Sequence, residues 1–150
     1  MFDSLKLESQ LCHRFYAVSN ALTRVYRPLL KSLDMTYPQY VVMMGLWEED
    51  AITIQKLLQR TRIDGGAMSL ILKKLQTKGY VDVQIGKQDK RARIVHLTES
   101  GRAAKGEAES IPKRLFCGIN RLNSDDLDEM RRLMDLLSND LQDVLCRAEE

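Results

Sequence analysis

Apolar residues recur along this chain at helical spacing, interrupted once by two short β-rich segments. Leu7, Leu11, Phe15, Val18, Leu22 and Val25 step by three or four and predict a helix over 5–27. Pro28 is placed to begin or kink the turn that follows, 28–33. Thr36-Tyr37-Pro38-Gln39 reads as a helix start, with Thr36 as cap and Pro38 in the first turn, where its missing N–H costs little. That helix should run to about Glu49 on Tyr40, Val41, Met44 and Trp47. After a connector at 50–52, Thr53 caps a short helix over 54–60 with Ile54, Leu57 and Leu58 facing inward.

The most informative stretch is 63–97. Asp64 can cap a helix over 64–78, whose Met68, Ile71, Leu72 and Leu75 form one buried face. Its other face shows Ala67, Ser69, Leu70, Lys73 and Lys74, small at the start and cationic further on. Gly79 follows, where a left-handed helix stop favours glycine. The segments 81–85 and 92–97 are rich in β-branched residues, with 86–91 between them as a hairpin tip. Helix, short turn, helix and basic hairpin make a winged helix-turn-helix by pattern, and therefore a DNA-binding lobe.

Thr98 is placed to cap a further helix running to about Ile119, bent near Pro112. Ser124 reads as the cap of the last helix, with Asp125 and Asp126 where the positive end of the helix dipole favours them. Leu127, Met130, Leu133, Met134, Leu137, Leu141, Val144 and Leu145 then form a long apolar stripe. Too little chain remains to cover that stripe and the one on the first helix, so a homodimer is expected. Its two-fold axis would set two recognition helices about one DNA turn apart, on a pseudo-palindromic operator. The expected fold is mainly α with a small β wing (α+β). A single domain over 1–150 would use about 1–33 and 98–150 as dimerisation helices and about 36–97 as the winged lobe.

Composition sharpens this picture. The formal net charge is only +2, but it hides an asymmetry. Residues 56–93 hold ten Lys/Arg against three Asp/Glu, a balance of +7, and 124–150 hold three against nine, a balance of −6. A basic middle beside an acidic tail suits a polyanion-binding lobe joined to an element that does not touch DNA. Arg91, at the hairpin tip, is the residue expected in the minor groove. Lys87, Lys90 and Arg93 are expected on phosphates, with Ser69, Lys73 and Lys74 on the recognition helix contacting bases or phosphates. His96, between Val95 and Leu97, reads as structural.

No apolar run approaches the ~20 residues of a membrane span, and no signal sequence is evident, so a cytoplasmic location is expected. The three cysteines, Cys12, Cys117 and Cys146, are far apart and form no C-x-x-C pair. Neither a metal site nor a cofactor is expected. In a reducing compartment they would begin as free thiols.

The winged pattern flanked by long helices resembles the multiple antibiotic resistance regulator (MarR) family. The hairpin carries the matching Asp89-Lys90-Arg91, followed by Leu97-Thr98-Glu99-Ser100-Gly101. Within that family the N-terminal half is similar to the organic hydroperoxide resistance regulators. Leu11-Cys12, Phe15-Tyr16-Ala17, Tyr26-Arg27-Pro28-Leu29-Leu30, Thr36-Tyr37-Pro38-Gln39-Tyr40 and Leu46-Trp47-Glu48-Glu49 carry this likeness, which spans nearly the whole chain. The sequence departs from the group at His13, where an apolar or aromatic residue is usual, and at Arg62. It departs again at Asp64-Gly65-Gly66-Ala67, which lacks two hydroxyls usual in the first recognition turn.

The resemblance implies a repressor that senses organic peroxide through Cys12 and then releases its operator. It implies that Tyr26 and Tyr37 donate hydrogen bonds to the Cys12 thiolate across the dimer, favouring the anion that attacks a peroxide. His13 and Tyr16 are candidate pocket residues. Cys117 is the candidate resolving thiol, with Cys146, in a terminal turn, the weaker one. A second reading keeps DNA binding but makes a small aromatic ligand the effector and Cys12 passive. A third, a thiol peroxidase, lacks a second catalytic constellation: only His13 and His96 are available, with no Thr/Arg pair around Cys12. An enzyme is therefore not expected.

Overall fold

Short polar side chains start most of the helices by accepting a free N–H of the first turn. Asp64 Oδ1 accepts from Ala67 N at 2.9 Å, Thr53 Oγ1 from Lys56 N at 3.1 Å, and Thr98 Oγ1 from Gly101 N at 3.0 Å. Thr36 does more. It accepts from Gln39 N at 3.5 Å while Gln39 Oε1 accepts from Thr36 N at 3.2 Å, a reciprocal capping box.

The computed structural model describes residues 5–148. A single 3-10 turn, Leu7–Ser9, precedes α1 (Leu11–Leu29). Then follow α2 (Tyr37–Glu48), β1 (Ile52–Thr53), α3 (Ile54–Thr61), α4 (Gly65–Thr77), β2 (Val81–Ile85), β3 (Arg93–Leu97), α5 (Glu99–Ala108), α6 (Ile111–Phe116) and α7 (Ser124–Ala148). The mainly helical fold with a small antiparallel sheet is the expected class, and α3–α4 and β2–β3 fall where the pattern placed them.

The differences are local and have physical causes. The first helix starts at Leu11 rather than at residue 5, because the chain spends Leu7–Ser9 in the tighter turn. Pro28 lies inside the last turn of α1 instead of ending it. There it removes one backbone hydrogen bond from a helix that stops one residue later. The expected connector at 50–52 contains a strand: Ile52 pairs with Val95 and Thr53 with Ile94, making the sheet order β1-β3-β2. A two-residue strand has no period to read. The helix after Thr98 breaks at Glu109–Ser110, ahead of Pro112, and resumes only to Phe116. The last helix is capped by Asn123, not Ser124: Asn123 Oδ1 accepts from Asp126 N at 2.9 Å, and Asp126 Oδ2 accepts from Asn123 N at 3.0 Å.

The chain forms two compact units, one through Leu115 and one from Phe116. In the first, Leu30, Val42, Met43, Leu46, Leu57, Met68, Leu75, Val95 and Ile111 are buried among α2–α5 and the sheet. Each such side chain is worth about 1.5–3 kcal/mol when removed from water. The α5 backbone lies directly on the residue before β2. A Cβ on Gly101 would stand 2.1 Å from Tyr80 O, so glycine is required there. Trp47 Nε1 donates to Gly101 O at 2.8 Å, and Asp50 Oδ1 accepts from Leu97 N at 2.8 Å while Arg102 reaches Asp50 Oδ2 at 3.0 Å.

Neither α1 nor α7 buries a residue. Leu11, Val18 and Val25 on α1 are exposed, as are Leu133, Leu141, Val144 and Leu145 on α7. In the second unit α7 is stiffened by i,i+3 pairs, Arg132 with Glu129 at 2.7 Å and Arg131 with Asp128.

Candidate functional site

The turn after α1 reverses the chain and brings its last residues against the start of α2. Asp34, at φ +48°, makes that reversal. Tyr26, near the end of α1, and Tyr37, the first residue of α2, consequently sit with ring centroids 4.5 Å apart and planes tilted by 35°. Tyr40 extends the cluster, 5.9 Å from Tyr26, and Trp47 lies edge-on to it at 6.1 Å.

Burial pushes the Tyr26 phenol above its usual titration range, helped by the neighbouring Tyr37 and Tyr40. It therefore remains protonated at neutral pH and keeps an O–H to donate. Among the described residues neither the Tyr26 nor the Tyr37 hydroxyl has a hydrogen-bond partner; the pair shows two unused donors.

Cys12 is the second residue of α1 and is exposed, with His13 and Tyr16 exposed beside it. Fourteen residues separate it from Tyr26 on one helix, about 21 Å at 1.5 Å per residue. A single chain thus assembles the phenol pair but cannot bring its own thiol to it. Cys117 and Cys146 are also exposed, in the other compact unit. Gln142 Nε2 approaches Cys146 Sγ at 3.9 Å.

The basic residues fall on two outward surfaces. Lys73 and Lys74 are exposed on α4, and Lys87, Lys90, Arg91 and Arg93 are exposed at or beside the β2–β3 tip. None of the six is in an ion pair among the described residues, whereas Lys56, Arg60, Lys78 and Arg102 are each paired. Cations left without protein partners are what a polyanion surface needs. The tip itself is ordered: Asp89 Oδ1 accepts from Arg91 N at 2.9 Å and Gly86 N donates to Ala92 O at 2.9 Å. A Cβ on Gly86 would stand 2.5 Å from Asp89 O, so only glycine fits beneath the tip. Ser69 Oγ donates to Gly65 O at 3.0 Å, leaving it lone pairs to accept with. His96 is half-buried in β3, opposite Asp82.

Two features escaped the sequence reading. Asp89 bends the tip through its own side chain, for which an Asp ahead of a cationic loop is a weak cue. Gln39 is buried at 2 % exposure and accepts from Lys78 Nζ at 3.1 Å. The spacing Thr36-x-x-Gln39 announces the capping box but not the lysine.

One cavity of about 440 Å³ lies between α2 and α5–α6, lined by Tyr40, Met44, Trp47, Lys105, Ala108 and Pro112 among others. Among the described residues no cluster of three or more His, Cys, Asp or Glu could hold a metal ion, and no helix is long and apolar enough to cross a membrane.

Residues 24–108 match the transcriptional regulator SarA/Rot family. Over 130 residues the chain is 35 % identical to the organic hydroperoxide resistance transcriptional regulator of Bacillus subtilis, covering 87 % of this chain and 88 % of that one. The chain belongs to the MarR family, among the organic hydroperoxide resistance regulators.

Solved MarR-family structures agree. Reduced AbfR bound to DNA superposes with a TM-score of 0.78 at 26 % identity, covering 96 % of this chain and 98 % of that one; AbfR is from Staphylococcus epidermidis. The same protein is known overoxidised and bound to DNA (TM-score 0.74, 27 % identity, 91 % and 96 % coverage) and in a disulfide form (0.63, 26 %, 90 % and 94 %). A mutant MarR of E. coli complexed with operator DNA matches at 0.76 and 25 % identity over 85 % of this chain and 92 % of that one. In this MarR-family chain α3–α4 is the helix-turn-helix and β2–β3 the wing. Its relatives are transcriptional regulators rather than enzymes.

Proposed function

We propose that the chain is a homodimeric repressor that holds an operator while Cys12 is reduced and releases it when an organic peroxide oxidises that thiol. The Tyr26–Tyr37 pair carries this reading: two phenols packed together at 4.5 Å, whose hydroxyls have no hydrogen-bond partner among the described residues, at the opposite end of α1 from the cysteine. Two copies related by a two-fold axis can run their first helices antiparallel, setting each Cys12 beside the phenols of the other copy. The exposed apolar stripes of α1 and α7 supply the surface for such pairing. Residues of about 1–33 and 98–150 then serve dimerisation, and about 36–97 serve DNA.

The chemistry follows from that placement. The phenols donate to the thiolate, which attacks one oxygen of the peroxide. An S–O bond forms, the O–O bond breaks, and the departing alkoxide takes a proton to leave as an alcohol. Cys12 becomes a sulfenic acid, and His13 and Tyr16 flank it. Condensation with the Cys117 thiol would form an S–S bond and release water; Cys146 is the alternative partner. AbfR supports a role for the second step, since it is known overoxidised on DNA and separately as a disulfide.

On DNA, α4 enters the major groove with Ser69, Lys73 and Lys74, Arg91 reaches the minor groove, and Lys87, Lys90 and Arg93 hold phosphates. A regulator of this kind works in the cytoplasm, where its operator is. A second reading, an aromatic ligand as effector with Cys12 passive, draws on the cavity beside Tyr40 and Trp47, where Lys105 Nζ donates to Trp47 O at 3.3 Å.

Cumene hydroperoxide added to protein–operator complexes decides between the two. Wild type and Cys12→Ser should both bind, and only wild type should dissociate, with a thiol reductant restoring binding. Release of Cys12→Ser by peroxide would sink the sensor assignment.

A further inference from the structure

The outward face of α4 carries one residue that a merely solvated helix does not call for. Leu70 is 64 % exposed, and at 100° per residue it stands about 140–160° around the axis from each of Met68, Leu72 and Leu75, which are buried. It is thus centred on the face opposite the core. Its neighbours there are Gly66 one turn before it and Lys73, Lys74 and Thr77 after it.

A second observation concerns the two glycines that open the helix. A Cβ on Gly65 would meet nothing within 4 Å, and one on Gly66 would meet only Asp64 Oδ1, at 3.3 Å. Neither has a positive φ. Nothing among the described residues requires glycine at either place, although glycine is among the least favourable residues for a helix. A bare first turn is useful to something outside the chain that comes close to the backbone.

We propose that Leu70 reads a thymine: its side chain packs against the C5-methyl group of one thymine per half-site in the major groove, with Gly66 leaving room for the base edge. The thymine methyl is the apolar feature that distinguishes base edges in that groove. Lys73 and Lys74, with no ion pair among the described residues, flank the contact and hold the duplex against it. This inference rests on the DNA-binding reading and deepens it by naming a base and the residue that selects it.

The test is a thymine-to-uracil scan. The reduced full-length protein selects its tightest duplex from a random pool, and each thymine of one half-site is replaced in turn by deoxyuridine, which removes only the methyl group. Wild type should lose about fourfold in affinity at one position, the worth of one buried methyl-sized group. Leu70→Ala should bind the unmodified duplex more weakly, show no further loss at that position, and keep its thermal midpoint because the side chain is exposed. Equal losses in both proteins at every thymine, or no loss anywhere in wild type, overturns the role of Leu70 while leaving DNA binding intact. Failure to enrich any duplex over the random pool overturns the DNA-binding reading, and this inference with it.

Discussion

Lys78 Nζ lies 3.1 Å from Gln39 Oε1 and also donates to the Asp34 backbone carbonyl, tying the C-terminal cap of α4 to the first turn of α2. The same Gln39 oxygen accepts from Thr36 N at 3.2 Å, and Tyr37 lies between those two residues in the chain. Thr36 and Lys78 thus share one acceptor, which links the first turn of α2 to the end of α4.

Gln39→Leu leaves the Thr36 N–H without its side-chain acceptor and takes one acceptor from the Lys78 ammonium, which keeps Asp34. We predict a loss of about 1–3 kcal/mol in urea unfolding. Lys78→Met should still be oxidised at Cys12 while releasing operator less completely than wild type. Unchanged stability in the first and unchanged release in the second would show the link to be idle.

Tyr26→Phe removes one donor and leaves the ring that packs on Tyr37. Hydrogen bonds to charged groups are worth about 1.5–3 kcal/mol, so oxidation of Cys12 by cumene hydroperoxide should slow by roughly tenfold or more. Operator binding by the reduced protein should not change. Wild-type oxidation rates, followed by mass spectrometry of the thiol, would remove Tyr26 from the site.

Much of this arrangement is legible in the sequence, for identifiable reasons. The recognition helix is long, periodic and capped, so its Asp64 cap and its buried Met68, Leu72 and Leu75 follow from spacing alone. The wing strands match because β-branched residues bracket a glycine and an aspartate. What stayed hidden is non-local. The strand at Ile52–Thr53 exists only because Val95 and Ile94 lie beside it, and the Gln39–Lys78 bond spans 39 residues. The separation of Cys12 from Tyr26 within one chain is simple helix arithmetic, since both lie on the single helix Leu11–Leu29.

Gly101→Ala should be severely destabilising. The added methyl would lie 2.1 Å from Tyr80 O and 3.2 Å from Leu97 Cδ2, and backbone cannot yield as a flexible side chain does. Overpacking typically costs about 1–3 kcal/mol, so the thermal midpoint should fall by several degrees. A midpoint equal to wild type would mean α5 moves freely off Tyr80, contrary to this packing.

Acid stability should depend on Asp50. Burial alone would raise its titration, but hydrogen bonds from Leu97 N, Ala51 N and Arg102 outweigh that and hold it below its ordinary 3.8. A carboxylate lowered on folding contributes stability that is complete above the unfolded value and is lost as pH falls through the folded one. Asp50→Asn, which keeps an acceptor for Leu97 N, should therefore show a flatter stability curve below about pH 4 in denaturant titrations. An unaltered acid limb would assign the dependence to other carboxylates.

The wing should separate affinity from sequence reading. Lys87, Lys90 and Arg93 are exposed and in no ion pair among the described residues, so each can displace one counterion from a phosphate per half-site. Log affinity falls with log salt by about 0.9 per contact, so neutralising any one of them in both subunits should reduce the slope by about 1.8. Discrimination between operator and random duplex should stay nearly constant, because phosphate contacts carry no base information. Arg91 differs. Its backbone is pinned by Asp89 at 2.9 Å, which fixes where the guanidinium starts from. Arg91→Lys keeps the charge but not the planar fork, and should weaken operator binding more than random-duplex binding at equal salt slope. Fluorescence anisotropy across a salt series measures both quantities. Should Arg91→Lys weaken the two duplexes alike, Arg91 is one more phosphate contact and the wing reads no shape.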